Sequence, residues 1–133
     1  PIPNPTESVK NLGSRGAEGI QATMSKKTFE NPALVQLYAS IQSFNTEFSF
    51  ERLSALRREE DQVNIDLLGS MEIPTLFISG REDPLFLPEQ LSQLVPHFHS
   101  ASIKIVDDAG HSPYFEQPTV FNKLLSDHIN QNL

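Results

Sequence analysis

Ile73-Pro74-Thr75-Leu76-Phe77-Ile78-Ser79-Gly80-Arg81-Glu82-Asp83 is the stretch whose reading decides the fold. Its first part is short, apolar and rich in β-favouring residues, and Gly80 ends it, which predicts a strand buried on both faces. A strand of that kind belongs to a parallel sheet covered by helices, and the residues that follow agree. Pro88 opens a helix that carries Leu91, Leu94 and Val95 and is stopped by Pro96. A second strand is expected at Ser102-Ile103-Lys104-Ile105-Val106. After a loop, Pro118 opens the last helix, with Val120, Phe121, Leu124, Leu125 and Ile129 at helical spacing. The order strand, helix, strand, helix predicts a βαβα unit in a parallel sheet with a right-handed crossover.

Upstream of this unit the pattern is helical, and no convincing strand is found. The chain divides near residue 70, into a helical segment over 1–70 and the βαβα portion over 71–133. Asn4-Pro5 and Asn31-Pro32 each read as an N-cap followed by proline at the first helical position, where its missing N–H costs nothing. Leu34, Leu37, Tyr38, Ile41 and Phe44 then recur along one helical face. Ser49 is expected to cap a further helix bearing Phe50, Leu53, Ala55 and Leu56. Gly13, Gly16 and Gly19 are expected to break or loosen the first helices.

Composition narrows the range of functions. The 133 residues match one domain, and 17 acidic against 10 basic residues give a formal charge of −7. A nucleic-acid binder needs a basic patch, and no cluster here exceeds Lys26–Lys27 or Arg57–Arg58. Nucleic acid and membrane surfaces are therefore not expected partners. The chain has no cysteine, which excludes disulfides and thiolate catalysis. No apolar run is long enough to span a bilayer, and Pro1-Ile2-Pro3-Asn4-Pro5 lacks the pattern of a signal peptide. A cytoplasmic setting is the default expectation, and the absence of an initial Met suggests a piece of a longer protein.

Chemistry in an open α/β sheet gathers in the loops beyond the carboxyl ends of the strands. Two such loops are present, Gly80-Arg81-Glu82-Asp83-Pro84 and Asp107-Asp108-Ala109-Gly110-His111-Ser112-Pro113. If the strands are parallel neighbours, a carboxylate from one loop can meet the imidazole of the other. A carboxylate that accepts from His Nδ1–H fixes the tautomer and steadies the imidazolium formed in catalysis. Each residue also has a plainer reading. Asp83 before Pro84 suits a turn that caps the next segment, and His111 suits a surface loop. Glu82 is a second candidate for the acid, and Asp107 or Asp108 could orient the histidine locally. His97 and His99 resemble a metal pair but lack further ligands, so a solvated helix end is expected. His128 is read as structural. Phe44, Phe48 and Phe50 suit either a pocket lining or core packing, and Arg57-Arg58-Glu59-Glu60-Asp61 suits a solvated helix end.

The segment from Ile73 to Asp83 resembles the late strand and acid loop of α/β-hydrolases. Asp107-Asp108-Ala109-Gly110-His111-Ser112-Pro113, followed by Glu116-Gln117-Pro118, resembles that family's histidine loop and its entry into the final helix. The helical first part is similar in position to the family's cap. The resemblance implies an incomplete α/β fold, a helical cap followed by a βαβα portion of the hydrolase sheet. It further implies Asp83 as triad acid and His111 as general base. The implied reaction is hydrolysis of an ester, lactone or related carbonyl substrate, with no metal or organic cofactor. The family's G-x-S-x-G nucleophile elbow is absent from these residues. Gly13-Ser14-Arg15-Gly16 is the nearest approach, with the wrong spacing. This chain is thus expected to supply acid and base but no nucleophile, and to be inactive alone. The alternative is a non-catalytic binding or assembly module. A strand lacking sheet neighbours invites pairing, so self-association or pairing with a missing amino-terminal half is expected.

Overall fold

The structure is a computed structural model and describes residues 17–44 and 65–133. The expected helices after Asn4 and Ser49, the Gly13-Ser14-Arg15-Gly16 run, Phe48, Phe50 and the Arg57–Asp61 cluster lie outside these residues. Helices α1 (Ala17–Thr23), α2 (Lys26–Phe29), α3 (Pro32–Ser43) and α4 (Ile65–Leu68) come first. They are followed by β1 (Thr75–Gly80), α5 (Pro88–Leu94), β2 (Ala101–Val106), α6 (Pro113–Glu116) and α7 (Pro118–Gln131). The two strands pair in parallel, with Thr75 opposite Ala101 and Gly80 opposite Val106. Strand, helix, strand and helix thus form the expected α/β unit, and the register ends both strands at the same level.

Local chemistry explains most boundaries. Asn31 caps α3, its side chain accepting from the N–H groups of Ala33 and Leu34 with Pro32 at the first helical position. Pro88 and Pro118 likewise begin α5 and α7, there without a side-chain cap before them. Pro96 ends α5 by way of a tighter turn over Val95–His97. Ser25 caps α2, accepting from the N–H of Thr28. Gly19, expected to loosen a helix, lies inside α1, where neighbouring residues carry the helix through its low propensity.

Burial departs from the sequence reading. β1 is half-buried over Thr75–Ile78 and fully buried only at Ser79 and Gly80. The described helices do not cover both faces along its length. On α3, Leu34 and Tyr38 are partly covered, whereas Leu37, Ile41 and Phe44 are exposed. On α7, Val120, Leu125 and Ile129 are exposed as well. The tightest packing lies elsewhere, around the carboxyl ends of the strands. Ile20, Met24, Leu85, Val106 and Ala109 are buried there, along with Thr23, Ser25, Thr28, Ser79, Asp83, Ser112 and Glu116. Among the described residues no buried polar side-chain atom lacks a partner, so this core is held by hydrogen bonds as much as by apolar contact.

Candidate active site

Because Gly80 and Val106 are register partners, the loops that follow them leave the same edge of the sheet. Their backbones are stitched together there. Arg81 N–H donates to Val106 O and Glu82 N–H to Ala109 O, both at 2.9 Å. Gly80 is required by this closeness, since a Cβ at that position would collide with the carbonyls of Ala109 and Gly110.

Asp83 is buried beneath the turn it forms, and its two oxygens serve different partners. Oδ1 accepts from the N–H of Leu85 at 2.8 Å and of Phe86 at 3.1 Å, an Asx-type cap on the turn leading to α5. Oδ2 lies 3.0 Å from His111 Nδ1. The turn-capping and histidine-pairing readings of Asp83 therefore hold together, one on each oxygen. With a carboxylate at Nδ1, the hydrogen bond places the proton on that nitrogen. His111 Nε2 has no hydrogen-bond partner among the described residues, and the side chain is 37% exposed. The Phe86 ring stacks on the imidazole, centroids 5.7 Å apart at 26°. The ring is thus buttressed on a face and bonded at one nitrogen, with its other nitrogen open.

The remaining carboxylates considered from sequence face elsewhere. Glu82 accepts from Lys26 N–H at 2.9 Å, at the start of α2. Asp107 pairs with Arg81. Asp108 pairs with Lys27 Nζ at 2.7 Å and has a φ of 54°, a conformation that Asp tolerates better than most residues. Its carbonyl accepts from Ser25 Oγ and from Gln117 Nε2. His97 and His99 are exposed, and among the described residues no group of three or more potential metal ligands is assembled. His128 Nε2 lies 3.4 Å from Pro74 O and links α7 to the approach of β1.

Sequence reading missed several residues around the histidine. Glu116 is buried at 6% exposure, and its Oε1 accepts from Gly110 N–H at 2.8 Å and Ser112 N–H at 3.2 Å. Oε2 accepts from Ser25 N–H at 2.7 Å. His111 N–H itself donates to Thr23 O at 2.7 Å. Tyr38 on α3 bonds Ser112 Oγ at 3.1 Å and meets the Phe115 ring edge-on. Burial raises the Tyr38 hydroxyl above its ordinary pKa, and the Ser112 bond offsets part of that rise. One local signal is the pair Ser112-Pro113, which opens α6 with proline at its start as in α3, though the Ser112 side chain does not cap it. Nothing local in the sequence joins Ser25 to Glu116.

The fold can be placed among known proteins. No family model matches the chain, and no curated protein matches it. Solved structures do. A thermophilic esterase from Thermogutta terrifontis superposes with a TM-score of 0.72 at 24% identity, covering 97% of this chain and 52% of its own. The 2-hydroxy-6-oxo-6-phenylhexa-2,4-dienoate hydrolase of Rhodococcus sp. strain RHA1 gives 0.74 at 16% identity, covering 98% and 51%. Est816, an N-acyl homoserine lactone degrading enzyme, gives 0.67 at 21% identity, covering 93% and 51%. The chain spans about half the length of each of these structures, and over that half it has the α/β-hydrolase fold.

Proposed function

We propose that this chain is the acid-and-base portion of a serine-type α/β-hydrolase acting on an ester, lactone or related carbonyl substrate. The observation that carries the reading is the 3.0 Å contact between His111 Nδ1 and Asp83 Oδ2, made across two loops at one sheet edge. In this reading Nε2 of His111 takes the proton of a serine hydroxyl as the oxygen attacks the carbonyl. Asp83 holds the ring in the required tautomer and stabilises the imidazolium. His111 then returns the proton to the leaving group. The serine and the oxyanion donors come from residues beyond these 133, because no G-x-S-x-G occurs within them.

Two further features support the reading. The matched structures include an esterase and an N-acyl homoserine lactone degrading enzyme, and this chain covers only half of each. Apolar residues at Ile73, Val120, Leu125 and Ile129 are exposed along the approach to β1 and on α7, where further strands and helices of a complete fold would cover them. Helices α1 to α4 take the part of the cap. Pairing with the remaining half of the fold, or self-association through these surfaces, follows from the same exposure.

The test is made on the protein isolated from its natural source, by intact mass and labelling with a serine-directed fluorophosphonate. The expected result is a label on a serine outside these 133 residues, within the same chain or a co-purifying one, that is lost in His111→Ala. A mass of 14.9 kDa with no partner and no label would sink the enzyme reading. A binding or assembly module would then take its place.

A further inference from the structure

Three consecutive amides, those of Gly110, His111 and Ser112, leave the histidine loop in two directions. The outer two converge on one oxygen of Glu116, at 2.8 and 3.2 Å. The middle one donates to Thr23 O at 2.7 Å. The other oxygen of Glu116 takes the N–H of Ser25, also at 2.7 Å. Glu116 and Thr23 therefore grip the same loop from two sides, and Glu116 is tied to the turn that carries Thr23. Thr23, Ser25, Gly110, Ser112 and Glu116 are all buried, so water is a poor substitute for a partner lost among them. The space is also closed, because a Cβ on Gly110 would collide with the carbonyl of Thr23.

We infer that Glu116 is a positioning residue for His111: its carboxylate fixes the backbone on both sides of the imidazole and makes that placement depend on the α1–α2 turn. The catalytic meaning of the inference rests on the proposed role of His111, while its geometry does not. A carboxylate is the one side chain suited to the task. Its two oxygens accept from opposite sides at once, whereas a glutamine offers a single oxygen and an NH2 group that donates. In Glu116→Gln the amide must therefore point its donors either at Ser25 N–H or at the Gly110 and Ser112 pair. In the first case the tie to the turn is lost, and in the second the grip on the loop is lost. Either way the frame that holds Nδ1 against Asp83 Oδ2 loses one of its two anchors.

The readout is the ring itself, followed by proton and nitrogen-15 NMR on the full chain. The wild type is expected to show a downfield, exchange-protected His111 Nδ1–H resonance and a single ring tautomer. Glu116→Gln is expected to lose that resonance and to populate both tautomers, with the methyl signals of Ile20 and Val106 retained. Ser25→Ala is the control, since it removes the Oγ bonds to Thr28 and Asp108 but keeps the N–H that reaches Glu116. It is expected to destabilise the chain and leave the resonance in place. A Glu116→Gln variant that is merely less stable, with the resonance unchanged, overturns the inference. Should that variant not fold, amide exchange in the wild type decides. Gly110 and Ser112 are expected to exchange together with Ser25 in a shared opening, and exchange at free-loop rates overturns the inference. Absence of the resonance in the wild type would instead overturn the pairing of Asp83 with His111, and the amide exchange would then judge Glu116 alone.

Discussion

The acid loop holds Asp83 with bonds made almost within itself, whereas the histidine loop holds His111 with bonds brought from distant parts of the chain. Asp83 Oδ1 caps N–H groups two and three residues ahead. Around His111 the partners are Thr23, Ser25 and Tyr38 from the helices upstream, and Glu116 from the short helix that follows. A local Asx turn re-forms whenever its own few residues are in place. A loop held by tertiary contacts is only as well ordered as the elements that hold it. The acid is built to be robust, and the histidine is built to be dependent.

Substitutions can break this contrast or sharpen it. The largest effect is expected at the seam shared by both loops. Gly80→Ala drives a methyl group into the carbonyls of Ala109 and Gly110. It should cost about 3 kcal/mol in urea unfolding, and both loops should lose order together. Gly69→Ala is the comparison, because its added carbon meets Asp66 O and His97 O at 3.7 and 3.5 Å, which are ordinary contacts. If the two variants prove equally stable, the loops are not packed as described.

Next comes the acid. Asp83→Ala removes the turn cap and the histidine partner together, and a loss of about 2 kcal/mol is expected. Asp83→Asn keeps an acceptor for the Leu85 and Phe86 amides and should recover more than half of that loss. It nonetheless places an NH2 group opposite Nδ1, so the ring should move to the other tautomer, as nitrogen-15 shifts would report. An Asn variant no more stable than the Ala variant would show that the turn bonds carry little.

The smallest effect belongs to the histidine side. Tyr38→Phe leaves the buried Ser112 hydroxyl without its phenol partner, at a cost of about 1 kcal/mol near neutral pH. The pH dependence has a definite sign. Burial holds the folded Tyr38 above its ordinary value of 10.0, so its contribution is fully present below pH 10. Above that point the unfolded phenol ionises first, and stability falls as pH rises through the raised folded value. Tyr38→Phe should remove this part of the alkaline slope. A wild-type and variant difference that stays constant from neutral to strongly alkaline pH would contradict the burial of Tyr38.

The same contrast explains what was legible in the sequence. The run from Ile73 to Asp83, the prolines that open helices at 32, 88 and 118, and the loop containing Gly110 and His111 are local patterns. The structure has a strand, three helices and a loop there. The expected full burial of β1 did not follow, because burial depends on what lies across the sheet and not on the strand's own residues. The apolar stripe of α3 is similar, since its spacing specified a helix without specifying a cover for Leu37, Ile41 and Phe44. In the sequence, Glu116 stands out only as part of the Glu116-Gln117-Pro118 entry into the last helix. Its work is done through Ser25 and Gly110, and no periodicity or spacing rule connects a carboxylate to amides so distant in the chain.

That separation has a kinetic consequence. Ser25 and Glu116 lie 91 positions apart, and the tie between them closes a loop that takes in most of these 133 residues. Closing so long a loop costs entropy before any contact repays it, and folds rich in such contacts form slowly. During synthesis, α1 and α2 leave the ribosome well before the carboxylate that will anchor them exists. The Asx turn at Asp83 can form as soon as Phe86 has emerged. The histidine loop must wait for Glu116, and acquires its shape after the acid loop.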